Sequence, residues 1–170
     1  MALHRFNSNF RMDTTNSAPL TAGTVAPEFS LPGTAGGPVT LSHYRGNKNV
    51  LLAFFPAAGT LVCTSEMCAF GEDFDRFSAA DVEVLGISMD SVEKLVQFRD
   101  AESLQVQLLS DVDGTVARQF GALWKSGTIA NRAYFLIDKD GTVRWAHVEE
   151  HPGLRRENEE ILEAIRSVMA

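Results

Sequence analysis

The stretch from Val50 to Phe55, VLLAFF, is the densest apolar run in the chain, and it stops at Pro56. Six residues fall far short of the roughly 18 that cross a membrane, and the run has no polar alternation that would leave one face in water. It reads as a strand, NVLLAFF from Asn49, buried on both faces. Such a strand needs layers above and below it, which the rest of the chain must supply.

The segments that follow alternate in type. From about Val62 to Ala80, Phe70, Phe74 and Phe77 recur at helical spacing; VEVLGISM from Val82 is a second apolar strand, and SVEKLVQFRDAE from Ser91 a second helix. QLLSD from Gln107 is a short third strand, followed by a helical TVARQF from Thr115. RAYFLID from Arg132 and TVRWAHVE from Thr142 flank Lys139, Asp140 and Gly141, a hairpin with Asp-Gly in its turn, and an amphipathic helix runs from about Arg156 to Val168. Alternation implies parallel crossovers and the hairpin adds an antiparallel pair. The expected class is α/β, a central mixed β-sheet covered by helices on both faces. Residues before Asn49, with Pro27, Pro32 and Pro38, read as a Pro- and Gly-punctuated lead-in.

Size and composition bound the rest. A chain of 170 residues with 45% hydrophobic and 22% charged residues is one globular domain, expected over 19–170 behind a flexible extension at 1–18. A domain of that size buries roughly 70% of its unfolded surface and needs no disulfide staple. Fifteen Lys and Arg against 22 Asp and Glu leave a net charge of −7 with no basic run, which argues against nucleic acid and anionic membrane as partners. Arg5, Asn7, Asn9 and Arg11 interrupt any apolar core of signal-peptide length, so a cytoplasmic chain is expected. His4, His43, His147 and His151 stand at no metal-ligand spacing, and no glycine-rich phosphate loop occurs; neither a metal nor an organic cofactor is expected.

The two cysteines fall in PAAGTLVCTSEMC, Pro56 to Cys68, where the buried strand ends and a helix begins. Ligands of open α/β sheets gather at that end of the strands. A cysteine in the first turn of a helix, as Cys63 is expected to be, meets unpaired N–H groups and the positive end of the helix dipole, both of which favour thiolate over thiol. A thiol with a pKa near 8.5 is about 3% ionised at pH 7, and one with a pKa near 6 about 90%. Taken alone, Cys63 is more commonly read as a small buried hydrophobe, and only its neighbours overturn that reading. Glu66, three residues on, suits either a first-turn acid that complements the dipole or a hydrogen bond to an arginine.

Pro56, Thr60 and Cys63 resemble the peroxiredoxin signature Pro-x-x-x-Thr-x-x-Cys. APEFSLPG, VTLSHYRG, LLSDVDGTVARQFGALWK and RAYFLIDKDGTVRW extend the resemblance over nearly the whole chain to the bacterioferritin comigratory, or Q-type, peroxiredoxins. The resemblance implies a thioredoxin-like fold and a thiol peroxidase that reduces hydrogen peroxide or organic hydroperoxides with thioredoxin or a similar thiol reductant. It implies that Cys63 attacks the O–O bond, that Thr60 hydrogen-bonds the site, and that Arg132 is the matching arginine of the later strand. CTSEMC resembles the Q-type CTxEAC pattern, which makes Cys68 the resolving cysteine. Chemically, attack on peroxide needs a thiolate and donors for the charge that develops on the leaving oxygen. Arg132 offers a permanent cation with a fixed fork of donors, Thr60 a hydroxyl, and Pro56 a rigid ring that shields the sulfur.

In regular helix, residues five apart lie about 7.5 Å along the axis and about 140° around it, a Cα separation of roughly 8.6 Å. A disulfide needs about 4.4–6.8 Å, so an intramolecular Cys63–Cys68 bond requires local unwinding. The chain departs from the usual family pattern at Leu61 and Val62, which are bulkier and more apolar, and in the short KSGTIAN stretch after Trp124, itself read as a packing aromatic. A monomer or weak dimer is expected. The competing function is a non-enzymatic thiol redox sensor or partner-binding module, in which oxidation of Cys63 alters a surface.

Overall fold

The computed structural model describes residues 18–169; most of the expected N-terminal extension, 1–17, lies outside the described residues. Seven strands, Ser30–Gly33 (β1), Gly37–Thr40 (β2), Asn49–Phe54 (β3), Val82–Ser88 (β4), Gln107–Ser110 (β5), Ala133–Ile137 (β6) and Val143–Val148 (β7), form one sheet in the order β2-β1-β5-β4-β3-β6-β7. Strands β3, β4 and β5 are mutually parallel, whereas β6 joins β3 and β7 joins β6 antiparallel. The helices are Leu61–Glu72 (α1), Phe74–Ala79 (α2), Val92–Glu102 (α3), Thr115–Phe120 (α4) and Asn158–Met169 (α5).

All six residues of β3 are buried, as a strand covered on both faces requires. Its alternate side chains feed two cores. Val50, Leu52 and Phe54 pack with α4 residues Val116, Ala117 and Phe120 on one face. Leu51 and Ala53 face Met67 and Phe70 of α1, Phe77 of α2, Leu95 of α3 and Ile161 of α5 on the other. The sheet is thus covered on both faces, with α4 and the segment at Leu41–Tyr44 on one side and the other four helices on the opposite side among the described residues. Burying each of these larger side chains contributes about 1.5–3 kcal/mol, which is why the strand register is fixed by which set faces which core.

Gly86 lets α1 sit close to the sheet. A Cβ there would lie 2.8 Å from Leu108 Cδ2, 3.1 Å from Met67 Sδ and 3.3 Å from Phe55 Cε1.

Two expectations are corrected. The lead-in holds a hairpin, β1 with β2, and a single 3-10 turn at Leu41–Tyr44. Pro32 and Pro38 sit opposite one another in that hairpin near the edge of the sheet, where proline is tolerated, so the punctuation hid a real pair of strands. The helix expected over 62–80 is also two helices, broken at Asp73. Phe70 and Phe77 both reach the core, with ring centroids 5.6 Å apart, but the break leaves Phe74 46% exposed. The terminal helix expected from about Arg156 to Val168 is present, over Asn158–Met169.

Candidate active site

Strand β3 ends at Phe54, and its ladder continues one step, from Phe55 N–H to the Ile87 carbonyl at 2.9 Å. Pro56 lacks the N–H for a further step, and the chain turns. Asp90, just past β4, anchors that turn: its Oδ2 accepts from Ala58 N–H at 2.8 Å and from Ser88 Oγ at 2.8 Å, while Lys94 Nζ lies 3.0 Å from Oδ1. Gly59 takes φ +81°, a left-handed value that favours glycine, and delivers Thr60 to the N-cap of α1. Asp90→Ala removes these bonds and is expected to lower the rate of peroxide consumption a few-fold, with a modest loss of thermal stability because the Ala58 N–H and the buried Ser88 hydroxyl lose their acceptor. An unchanged rate would show that the turn needs no anchor.

Cys63 is the third residue of α1, in the first turn as the sequence suggested, and is fully buried. Arg132 comes from the residue just before β6 and is 1% exposed, the largest of the fully buried side chains. Its guanidinium donates from Nη2 to Cys63 Sγ at 3.1 Å, from Nη1 to Glu66 Oε1 at 2.8 Å and from Nε to the Pro152 carbonyl at 3.1 Å. All three nitrogens therefore have partners, which a buried cation requires. Burial works against the charge on Arg132, but Glu66 and Cys63 outweigh it and hold the guanidinium above its ordinary value.

Glu66 settles the choice left open by the sequence: it is 1% exposed and bonded to the arginine rather than turned to solvent. Its second oxygen accepts from the Tyr134 hydroxyl, which in turn accepts from Arg156 N–H at 3.0 Å. Burial raises the Glu66 pKa above the usual carboxylate range, opposed by the Arg132 charge and then by the Tyr134 bond. Burial, with Glu66 beside it, also pushes the Tyr134 phenol well up, so Tyr134 remains a donor. The loop after β7 closes this side. Glu149 N–H donates to the Arg132 carbonyl at 2.9 Å, and Arg156 Nε donates to Glu149 Oε1 at 2.8 Å.

The remaining expected residues are placed as follows. Pro56 is half-buried beside the strand end, and Thr60 is exposed, its hydroxyl donating to the Ala57 carbonyl at 3.0 Å rather than to the cysteine. Cys68 lies on α1, half-buried, in a shallow recess of about 240 Å³ with Glu72 and Glu102. Burial and then Glu102 and Glu72 push its thiol up. Leu61 is 87% exposed. Trp124 meets His151 edge-on at 5.6 Å and closes a tight turn, with Trp124 N–H on the Ile129 carbonyl at 3.0 Å. Among the described residues, no group of three His, Cys, Asp or Glu side chains is placed to hold a metal ion. Tyr134, Asp90 and the Pro152 carbonyl escaped the sequence reading. Tyr134 alone carried a signal, since residues 132 and 134 of one extended segment point to the same face.

The site combines a helix-start cysteine with a buried guanidinium that bridges its sulfur to a carboxylate. The AhpC/TSA family model matches residues 22–146. This chain is a peroxiredoxin. It is 42% identical to peroxiredoxin Bcp of Escherichia coli strain K12 over 132 residues, covering 74% of this chain and 83% of that one. It is 38% identical to the chloroplastic peroxiredoxin Q of Sedum lineare over 128 residues, covering 75% and 68%. The crystal structure of peroxidoxin BcpB from Mycobacterium tuberculosis superposes with a TM-score of 0.78 at 32% identity, over 89% of this chain and 99% of that one. These relatives identify the Bcp, or Q-type, branch and the thioredoxin-like fold. The chain is accordingly a thiol peroxidase, acting on peroxide with electrons from a thiol reductant, and the redox-sensor alternative is not favoured. Among the described residues, no helix is long and apolar enough to cross a membrane.

Proposed function

We propose that the peroxidase works as a one-chain dithiol cycle in which Cys63 is oxidised, Cys68 resolves it, and thioredoxin or a similar dithiol protein restores both. The observation that carries this reading is the Arg132 fork, with one nitrogen on the Cys63 sulfur and another on Glu66. A cation donating to sulfur favours the anionic nucleophile, and the same donors face the peroxide oxygens as charge builds on them. Thiolate attack on the near oxygen breaks the O–O bond, leaves a cysteine sulfenic acid, and releases the far oxygen as hydroxide or alkoxide, which takes a proton from water. Enclosure of Cys63 favours small oxidants over bulky ones.

In the second step the Cys68 sulfur attacks the sulfenic sulfur, a disulfide forms and water leaves. Both cysteines lie within one helix, α1, so the first turn must unwind to bring the sulfurs together. The later turns of α1 are held independently of it. Phe70 is buried farther along, and Asn158 Nδ2 donates to the Ala69 carbonyl at 2.8 Å. The raised Cys68 thiol supports the division of labour, because it keeps the second cysteine protonated and slow toward peroxide. A dithiol reductant then exchanges with the disulfide, itself becoming a disulfide. A cytoplasmic setting suits a cycle that draws on a cellular thiol pool.

Intact mass after one equivalent of peroxide tests the cycle. The expected product is a monomer about two hydrogens lighter than the reduced chain, and in Cys68→Ser a chain heavier by one oxygen. A wild-type chain that accumulates sulfenic acid, or that links only between chains, overturns the one-chain route.

A further inference from the structure

Tyr134 takes no part in the chemistry above, yet its hydroxyl is built into the site. Its ring is fully buried and stacks on Trp145 and His147 with centroids 6.4 Å away in each case. Phenylalanine would fill that space equally well. The added oxygen is useful only through its bonds, and it makes two: it donates to Glu66 Oε2 and accepts from Arg156 N–H. Glu66 Oε1 meets Arg132 Nη1, and Arg132 Nη2 meets Cys63 Sγ. Four side chains thus stand in series, ending at the sulfur.

A glutamate carboxyl turns freely about its last bond, because that torsion is broad. Donors on both oxygens fix its plane. The guanidinium is a rigid planar fork, so a fixed carboxylate on Nη1 fixes where Nη2 points. We propose that Tyr134 is a positioning residue for peroxide reduction, holding Glu66 Oε2 so that the carboxylate aims the Arg132 fork at Cys63. This deepens the reading in which Cys63 and Arg132 carry the reaction, and rests on it.

The role has a pH signature. The groups facing Glu66 are Arg132 and Tyr134 from the β6 side, Cys63 one turn back on its own helix, and Arg155 from the segment before α5. Burial already raises Glu66, and the Tyr134 bond opposes that rise. Without the phenol, Glu66 takes up a proton at higher pH and then holds Arg132 through a neutral carboxyl. The loss in rate therefore deepens as pH falls and fades as pH rises.

The experiment is the pH profile of kcat/KM for hydrogen peroxide in the wild type, Tyr134→Phe, Glu66→Gln and the double variant. Tyr134→Phe is expected to lose about tenfold at the acid end and no more than about threefold at the alkaline end, with a steeper acid limb than the wild type. Glu66→Gln cannot titrate, so its acid limb should be no steeper than the wild type's, and adding Tyr134→Phe to it should bring no pH-dependent loss. An equal loss at every pH, no loss at all, or the same pH-dependent loss in the Glu66→Gln background overturns the proposal. Turnover that survives Cys63→Ser would instead overturn the reading beneath it.

Discussion

Replacing Cys63 with serine is expected to abolish catalytic peroxide reduction. A serine hydroxyl ionises far above any pH at which the protein works, and oxygen forms no stable analogue of the sulfenic acid, so the O–O bond meets no nucleophile. The change is small in structural terms, since the side chain is fully buried and loses only the larger sulfur. Arg132 would still have Glu66 and the Pro152 carbonyl as partners. Peroxide consumption with a thioredoxin system should fall to the rate of reductant and peroxide alone, while the far-ultraviolet circular dichroism stays that of the wild type. Cys68→Ser separates the two sulfurs: it should keep the first oxidation and lose only the steps after it. Substantial turnover in Cys63→Ser would mean that the nucleophile lies elsewhere.

Much of this was legible in the sequence because it depended on local pattern. The run at β3, the apolar β4 and β6, and the cysteine at the start of the next helix are all features of a few neighbouring residues. Features that join distant segments were harder to read. Glu66 lies 66 residues before Arg132, and nothing in its neighbourhood distinguishes a dipole-complementing acid from the partner of a buried cation. An arginine at a strand start is ordinarily solvated; Arg132 is enclosed because α1, through Cys63 and Glu66, and the loop after β7, through the Pro152 carbonyl, give it its acceptors. Beyond sharing a face with Arg132, Tyr134 reads as one more strand aromatic, and its bond to Glu66 emerges only from the packing of α1 over β6. The break at Asp73 was hidden for a different reason: Phe70 and Phe77 bury on the same side across it, so the apolar period runs through a discontinuity in the backbone.

Removal of the arginine tests chemistry and folding together, and the two can be separated. Arg132→Ala is expected to lower kcat/KM by one to three powers of ten, about 1.4–4 kcal/mol of barrier, because it deletes the donors to the sulfur and to the developing oxyanion. It should also destabilise the fold, since breaking a buried pair from one side typically costs about 3–5 kcal/mol. Glu66, already raised by burial, loses the cation that opposes the rise and climbs further. In the unfolded chain its pKa is ordinary, so between the unfolded and folded values the native state holds the extra proton. Stability of the variant is then greatest below the unfolded pKa and falls as pH rises through the folded one, a steeper fall than in the wild type. Adding Glu66→Gln removes both the stranded charge and its titration. The double variant should recover most of the thermal stability at neutral pH and lose the added pH dependence, yet remain one to three powers of ten slow. If the rate returned with the stability, Arg132 would serve only to neutralise Glu66, and its bond to Cys63 would have no part in the reaction.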